Sequence, residues 1–247
     1  MNRDLILSGL KKIKWNDFST VIGLASLCLV MSLLSPVFLT VNNINNIIAQ
    51  SSINACIAIG MTLVIISGGI DLSVGSITAL SGVLMARALH AGISIPLSIL
   101  ICLAVGAGCG IVNGFFITVG KLPPFIATLG MMSIARGLAL LITGGRQISS
   151  FDVAFRFIGN GRIFGIPTQT IITVSFFILF FIISKTTRLG RYCYSIGGNE
   201  EASRLSGINV TFYKIIYYCI SGFMSGVAAI ILTARLNSAQ PIAGSGY

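Results

Sequence analysis

Charge is scarce in this sequence, and acidic charge is the scarcest. The 247 residues include 16 Lys and Arg, six Asp and Glu and one His, and charged residues make up only 9% of the chain. Soluble domains carry about a quarter charged residues, and here no charge occurs between Asp17 and Asp71. Together with a mean hydropathy of +0.95, this excludes a soluble globular protein. The net charge of +10 therefore indicates orientation in a membrane, and we expect no nucleic-acid partner.

The sequence also lacks the motifs of several catalytic and cofactor-binding classes. Its six cysteines are scattered through apolar segments without metal-site spacing, which favours a role as small apolar fillers. The single histidine, His90, has no carboxylate, serine or cysteine arrangement near it in the sequence. No G-x-x-x-x-G-K-[ST] phosphate loop occurs. We therefore expect no catalytic residue, no metal and no cofactor in this chain.

Long apolar runs are the dominant feature of what is present. A membrane-spanning helix needs about 20 apolar residues, and such runs predict an all-α, polytopic transmembrane helix bundle. The expected spans are seven in number: about 18–34, 47–66, 74–89, 95–119, 124–142, 170–184 and a last one from just after Lys214 to about 236. The polar sequence NNINN at 42–46 is expected to separate the first two. The small residues AVGAGCG at 104–110 predict close contact between helices in lipid.

The basic residues predict how the bundle is oriented. If the amino terminus is inside, ten basic residues fall in inner segments and five in outer ones, while Arg136 lies within a span. This excess of inner charge predicts a cytoplasmic amino terminus. Residues 1–17 are then a cytoplasmic arm and 18–247 a transmembrane domain that includes a cytoplasmic loop at 185–213.

That loop contains a short helix marked by its own end signals, in the sequence NEEASRLSG at 199–207. Asn199 is a good N-cap, and Glu200 and Glu201 fall in the first turn, where acidic residues are favourable. Arg204 is spaced i, i+4 from Glu200, and Gly207 can take the left-handed closing position. A helix this short is marginal alone, so we expect it to pack against a neighbour.

Several of these stretches resemble one family of membrane proteins. EASRLSG (201–207) resembles the Glu-Ala-Ala-x-x-x-Gly loop of ABC importer permeases, with Ser203 in place of the second Ala. The loop at 187–210 closely resembles that of ribose-type sugar permeases, and 60–77, 123–132 and 234–247 resemble further stretches of that family. Because family members continue beyond SAQPIAGSGY, the resemblance also predicts a truncation at Tyr247.

The resemblance implies a type II-like ABC importer permease in the bacterial cytoplasmic (inner) membrane, translocating a monosaccharide (a ribose-like pentose, allose or a related sugar) by alternating access. The chain itself is not expected to be an enzyme. The implied partners are an ATPase subunit that binds ATP and Mg, a periplasmic or lipid-anchored sugar-binding protein, a second permease copy in a homodimer, and membrane lipid. The alternatives are a permease for branched-chain amino acids or a furanone signal, and an ion-coupled secondary transporter.

Carried over to this chain, the ATPase-coupling motif places Glu201, Ala202 and Gly207 at the interface. Asn199, Glu200 and Arg204 lie beside them in the same short helix.

A second candidate site is the break between the second and third spans. Gly68 and Gly69 can interrupt the helix, and Asp71 or Ser73 can cap the next one. Two interpretations remain open: a hinge or tight turn with a structural cap, or a discontinuity at membrane depth that helps to form or gate a pathway.

Four further polar residues fall within spans: Gln50, Asn54, Asn113 and Arg136. The three amides suit either hydrogen bonds between helices or contacts with a sugar. Since an unpaired Arg at mid-bilayer costs about 2.5–3.5 kcal/mol on insertion scales, Arg136 is expected either to line a polar pathway or to pair with another helix.

Overall fold

The fold is known from a computed structural model, which describes residues 15–246, with side chains from Ser19 onward. The cytoplasmic arm expected at 1–17 lies almost wholly outside these residues. The chain divides into two units, Met1–Ile47 and Ile48–Tyr247. The described helices are α1 (Trp15–Leu34), α2 (Val41–Ile66), α3 (Val74–His90), α4 (Ile95–Thr118), α5 (Pro124–Thr143), α6 (Val153–Asn160), α7 (Thr168–Thr186), α8 (Arg188–Gly198), α9 (Glu200–Leu205) and α10 (Val210–Leu236).

Each of the seven predicted spans coincides with one of these helices, so the all-α transmembrane bundle is confirmed. Among the described residues, five helices are long and apolar enough to cross a membrane, namely α2, α4, α5, α7 and α10. The described part of α1 and all of α3 are shorter apolar helices, so the count of seven spans stays a prediction.

Two boundaries differ from the prediction. The sequence NNINN at 42–46 does not separate two helices but forms the first turns of α2, because asparagine is only mildly unfavourable in a helix and the apolar run that follows propagates it. The last span begins at Val210, four residues before Lys214. Asn209 caps it there by accepting a hydrogen bond from the Phe212 N–H at 3.0 Å, so Lys214 lies inside the helix.

The first unit is small. In α1 the hydroxyl of Ser32 donates to the Cys28 carbonyl oxygen at 2.7 Å, which satisfies that side chain within its own helix. After α1 the chain makes a short turn, in which the Asn43 side-chain amide donates to the Phe38 carbonyl oxygen at 2.8 Å.

In the second unit, α10 is the central helix, and α3 and α4 pack against it. Small residues allow the closest approach: a Cβ at Gly106 on α4 would collide with the Gly222 carbonyl oxygen on α10, and a Cβ at Gly222 would collide with that of Gly106. These contacts agree with the close helix packing predicted for 104–110. Buried apolar side chains of α2, α3 and α10, including Ile57, form one of the hydrophobic cores of this unit.

Short strands lie at the end of the second unit where α5 ends and α7 begins. Strand β1 (Ile148–Ser149) pairs antiparallel with β4 (Ser238–Ala239), which directly follows α10. Between them in sequence, β2 (Arg162–Ile163) and β3 (Ile166–Pro167) form a hairpin. The opposite end of the unit carries α8 and α9.

Candidate functional site

The break between α2 and α3 is an extended segment with alternating character. Helix α2 stops at Ile66, and Gly68 follows with φ of +79°, a conformation that glycine takes without the steric cost other residues meet. Beyond it, Ile70 and Leu72 are exposed, whereas Asp71 and Ser73 are fully buried. The break therefore turns its polar side chains into the protein and its apolar ones outward.

Asp71 is held by a network of three donated hydrogen bonds. Its Oδ1 accepts from the Ser73 backbone N–H at 3.0 Å and from the Ser73 hydroxyl at 2.6 Å. Its Oδ2 accepts from the Ser221 hydroxyl of α10 at 2.8 Å. Asn113 of α4 donates in turn to the Ser73 hydroxyl at 2.8 Å, so one carboxylate joins the break to two helices.

The capping role is more indirect than the sequence predicted. Ser73 occupies the N-cap position of α3, but its side chain makes no capping hydrogen bond to that helix, because its hydroxyl is turned to Asp71 instead. Asp71 lies two residues earlier and accepts the N–H of the N-cap residue itself. The carboxylate thus fixes the entry to α3 without being its N-cap.

The contacts of the break lie within α4 and α10 and not at the terminal residues of those helices. Ser221, which contacts Asp71, is about 16 Å along α10 from Val210, at about 1.5 Å per residue. Asn113 precedes the end of α4 by about 7 Å on the same rise. Irregular backbone between membrane helices is tolerated where it is buried in protein or lines a cavity, and here the hydrogen-bonding side chains are buried.

The short helix α9 has the end structure predicted for it. The Asn199 side chain accepts the Ala202 N–H at 2.9 Å, and Gly207 closes the helix with φ of +84°. Arg204 donates to Glu200 Oε1 at 3.0 Å. Ala202 is exposed, whereas the neighbouring Ser203 is buried and its hydroxyl hydrogen-bonds that of Ser195 on α8 at 2.8 Å.

Glu200 also joins α9 to α10. Its second carboxylate oxygen accepts a hydrogen bond from the Lys214 ammonium. This hydrogen bond, with the smaller contribution of Arg204, holds the pKa of Glu200 below its ordinary value. The side chain of Lys214 is only 15% exposed, so the ion pair is partly shielded from solvent.

Helix α8 contacts the end of α2 just before the break. A Cβ at Gly197 would collide with the Ile66 carbonyl oxygen, so the two backbones touch there. The Cys193 thiol donates to the Leu63 carbonyl oxygen at 3.2 Å, and Tyr217 of α10 donates to the Leu189 carbonyl oxygen at 3.0 Å. The loop helices are therefore in contact with the helix that leads into the break.

Arg136 has a structural partner. Its guanidinium donates to the carbonyl oxygens of Pro241 and Ala243 at 2.8 and 2.7 Å, in the irregular segment that follows β4. The partner is the backbone of an irregular segment and not another helix, so neither of the two expectations for this arginine is met as stated, and a pathway role stays untested. The same segment approaches α3 closely, since a Cβ at Gly75 would collide with the Gly244 carbonyl oxygen.

The three amides in the spans differ in their surroundings. Asn113 is buried in the Asp71 network. Gln50 and Asn54, at i, i+4 on α2, are both exposed, and neither side chain hydrogen-bonds another of the residues the structure describes. Two unpartnered amides on a membrane helix are costly in lipid, so they indicate a face of α2 that meets water or another chain.

Three features of these sites were not predicted from the sequence: Ser221 as a partner of Asp71, Lys214 as the partner of Glu200, and the whole of α8. Neither the serine nor the lysine carries a local signal, because the partner of Ser221 is 150 residues away and the partner of Lys214 is 14 residues away in a different helix. Helix α8 did carry one: Leu189, Cys193 and Ile196 recur at i, i+4 and i+7, the spacing of an amphipathic helix.

Comparison with known proteins gives consistent matches along the chain. The family model described as "Branched-chain amino acid transport system / permease component" matches residues 43–247. The ribose import permease protein RbsC of Escherichia coli K12 is 44% identical over 232 residues, covering 92% of this chain and 72% of that protein. RbsC of Bacillus subtilis strain 168 is 45% identical over 228 residues, covering 92% and 71%.

A more distant relative is the D-allose transport system permease protein AlsC of Escherichia coli K12. It is 37% identical over 235 residues, covering 94% of this chain and 72% of that protein. No solved structure matches the chain.

Proposed function

Since the chain belongs to the family of permease components of branched-chain amino acid transport systems, we propose that it is the membrane-spanning permease subunit of an ATP-driven importer for a monosaccharide. The similar relatives are named as permeases for ribose and D-allose, which supports a sugar as the substrate. The exposed amides Gln50 and Asn54 also support it, because a neutral polyol is bound by neutral hydrogen-bonding groups. This α2 face lines the pathway.

The surface that meets the partner ATPase is the exposed side of α9. Glu201 and Leu205 are exposed on that side, and Leu205 is 85% exposed. The other side of the helix is attached to the rest of the protein by hydrogen bonds of Glu200 and Ser203. An exposed apolar side chain beside a charged one is compatible with the apolar core and polar rim of a protein–protein interface. Hydrolysis of ATP takes place in the partner, and this chain supplies the moving part.

Movement of α9 is transmitted to the break between α2 and α3 along two sets of contacts. Along one route, Glu200 pulls on Lys214 at the start of α10, and the Ser221 hydroxyl on the same helix holds Asp71. Along the other, α8 bears on the Ile66 backbone through Gly197. Rearrangement of the break and α10 then changes which end of the pathway is open.

Three further features belong to the same proposal. The amino terminus is cytoplasmic, so that α9 faces the ATPase. A second copy of the chain pairs with the first and completes the pathway, which accounts for the unpartnered amides of α2. At the opposite end, the exposed arginines Arg156 and Arg162 face a sugar-binding protein that delivers the substrate, and lipid surrounds the apolar faces.

The coupling surface is tested by the ATPase activity of the assembled complex. Glu201→Lys and Leu205→Ala alter side chains that make no hydrogen bond to other described residues, so the permease should fold normally. We expect each to reduce co-purification of the ATPase subunit and to abolish its stimulation by sugar-loaded binding protein.

The matched control is Arg188→Gln, which changes an exposed charge of the same loop at the start of α8. It should leave stimulation intact. If Glu201→Lys and Leu205→Ala are stimulated as strongly as this control, α9 is not the coupling surface.

A further inference from the structure

A cavity of about 320 Å³ lies behind α9, on the side away from the proposed ATPase surface. It is formed where the end of α4 and the start of α5 meet α9 and the first turn of α10. This volume is at the lower end of the usual range of ligand pockets, about 300–1,000 Å³.

The cavity is strongly basic. Lys121, Arg204 and Lys214 line it, and Glu200 is the one acid among its lining residues. Both oxygens of that carboxylate are already engaged, one by Arg204 and the other by Lys214. With three cations and one carboxylate, the lining of the cavity has a formal charge of +2. Charged residues are scarce in this chain, so their concentration here is unusual.

Some of the hydrogen-bond donors that line the cavity have no partner among the described residues. Among residues 19–246, Lys121 has neither an ion pair nor a side-chain hydrogen bond, and the Thr211 hydroxyl is likewise without a partner. The Lys214 ammonium donates to Glu200 alone, although an ammonium has three N–H donors. These groups line one cavity and offer donors to a ligand.

The backbone at Lys121 gives an independent reason to look for a role of its side chain. Lys121 has φ of +54°, in the left-handed region that disfavours residues with a Cβ and that glycine occupies freely. Glycine would fit this turn between α4 and α5 more easily than lysine. Residues held in such conformations concentrate at functional sites.

We propose that this cavity binds a phosphate group. Inorganic phosphate and phosphate monoesters carry a charge of about −1.5 to −2 at neutral pH, and a diester headgroup carries a single negative charge. Both present acceptor oxygens to the ammonium, guanidinium and hydroxyl donors of the cavity, and the positive formal charge of the cavity favours either anion. Two sources share this chemistry: the headgroup of an anionic lipid, which the apolar walls at Leu122 and Val210 would suit, and a free phosphate compound. Once bound, the phosphate ties the α4–α5 turn to α9.

Binding is measured on the purified chain, without reference to transport. In lipid-free detergent, inorganic phosphate is titrated at constant ionic strength and pH while the midpoint of thermal unfolding is followed. In a second arm, the chain is purified from membranes containing phosphatidylglycerol, and the retained lipid is counted by native mass spectrometry. A shift of the midpoint without retained lipid identifies free phosphate, and retained lipid, with or without a shift, identifies the headgroup.

Variants at Lys121 make the test specific. Lys121→Gly removes the charge and relieves the backbone, and Lys121→Asn removes the charge with a residue that tolerates positive φ. If free phosphate is the ligand, we expect both variants to need about tenfold more phosphate to reach half of the maximal shift of the unfolding midpoint, because a hydrogen bond from a charged donor is lost. If the headgroup is the ligand, we expect both variants to lose the retained lipid. Lys121→Arg and the remote control Arg188→Gln should behave as the wild type.

Two results would overturn the proposal. One is the absence of both a phosphate-dependent shift and retained lipid in the wild type. The other is a wild-type response in Lys121→Gly and Lys121→Asn. Neither result bears on the imported substrate, so a failure here is distinct from a failure of the proposed transport function.

Discussion

The hydrogen bond between Ser221 and Asp71 gives the sharpest quantitative prediction. Ser221→Ala removes the donor at 2.8 Å to a fully buried carboxylate oxygen. Leaving a buried hydrogen-bonding group without its partner costs about 1–3 kcal/mol, so we expect the free energy of unfolding to fall by about 2 kcal/mol. Ser225→Ala is the matched control: Ser225 is as deeply buried in α10, but its hydroxyl donates only to a carbonyl oxygen of its own helix, and we expect a smaller loss.

Two substitutions of Asp71 separate hydrogen bonding from charge. Asp71→Asn keeps an acceptor for the Ser73 donors and presents an amide to Ser221, whose hydroxyl can accept instead. We expect the free energy of unfolding of Asp71→Asn to stay within about 1 kcal/mol of the wild-type value, and we expect this variant to transport normally. Asp71→Leu leaves three buried donors unsatisfied at about 1–3 kcal/mol each, so it should lose at least about 3 kcal/mol.

The measurement is equilibrium unfolding in mixed detergent micelles, followed by far-UV circular dichroism, with transport measured in parallel. If Asp71→Asn assembles normally but does not transport, the negative charge is required and a purely structural role of Asp71 is refuted. It is also refuted if Ser221→Ala is no less stable than Ser225→Ala.

Three further predictions concern other contacts. Glu200→Gln should weaken the attachment of α9 to Lys214 and reduce ATPase stimulation. Because the pKa of Glu200 is lowered in the folded protein, this attachment should be fully present above the ordinary value of 4.5 and be lost as the pH falls further, as hydrogen exchange of α9 would show. Gly197→Ala should cost about 1–3 kcal/mol by overpacking against Ile66, measured by thermal unfolding. Asn54→Leu should leave stability within about 0.5 kcal/mol but lower sugar uptake.

Each of these has a control in the same chain. Glu201→Gln changes a neighbouring carboxylate that has no ion pair among the described residues and should not alter the pH dependence. Gly198→Ala adds a methyl group where nothing lies within 4 Å and should be tolerated. Asn54→Gln keeps an amide and should preserve uptake; equal uptake by Asn54→Leu would contradict a pathway role.

The parts of the structure that were predictable are those with a local cause. The spans follow from the absence of charge over helical lengths, and α9 follows from Asn199 and Gly207 at its two ends. The break at Gly68 was also visible in the sequence. NNINN was misjudged because the apolar residues after it, and not its own propensity, decide its conformation.

The parts that were not predictable depend on pairings between distant residues. Ser221 is 150 residues from Asp71, and Asn113 is 40 residues from Ser73. Such pairs leave no periodic pattern, because each serine or asparagine is also compatible with an ordinary helix interface. The partners of Arg136 are backbone carbonyl groups, which no sequence pattern identifies.

The most direct test of the central proposal is uptake of labelled ribose into proteoliposomes that contain this chain, its ATPase subunit and its sugar-binding protein. We expect accumulation that requires ATP hydrolysis and the binding protein, and that is lost with Glu201→Lys while the permease remains folded. Uptake that continues without the ATPase subunit and follows an ion gradient would contradict it.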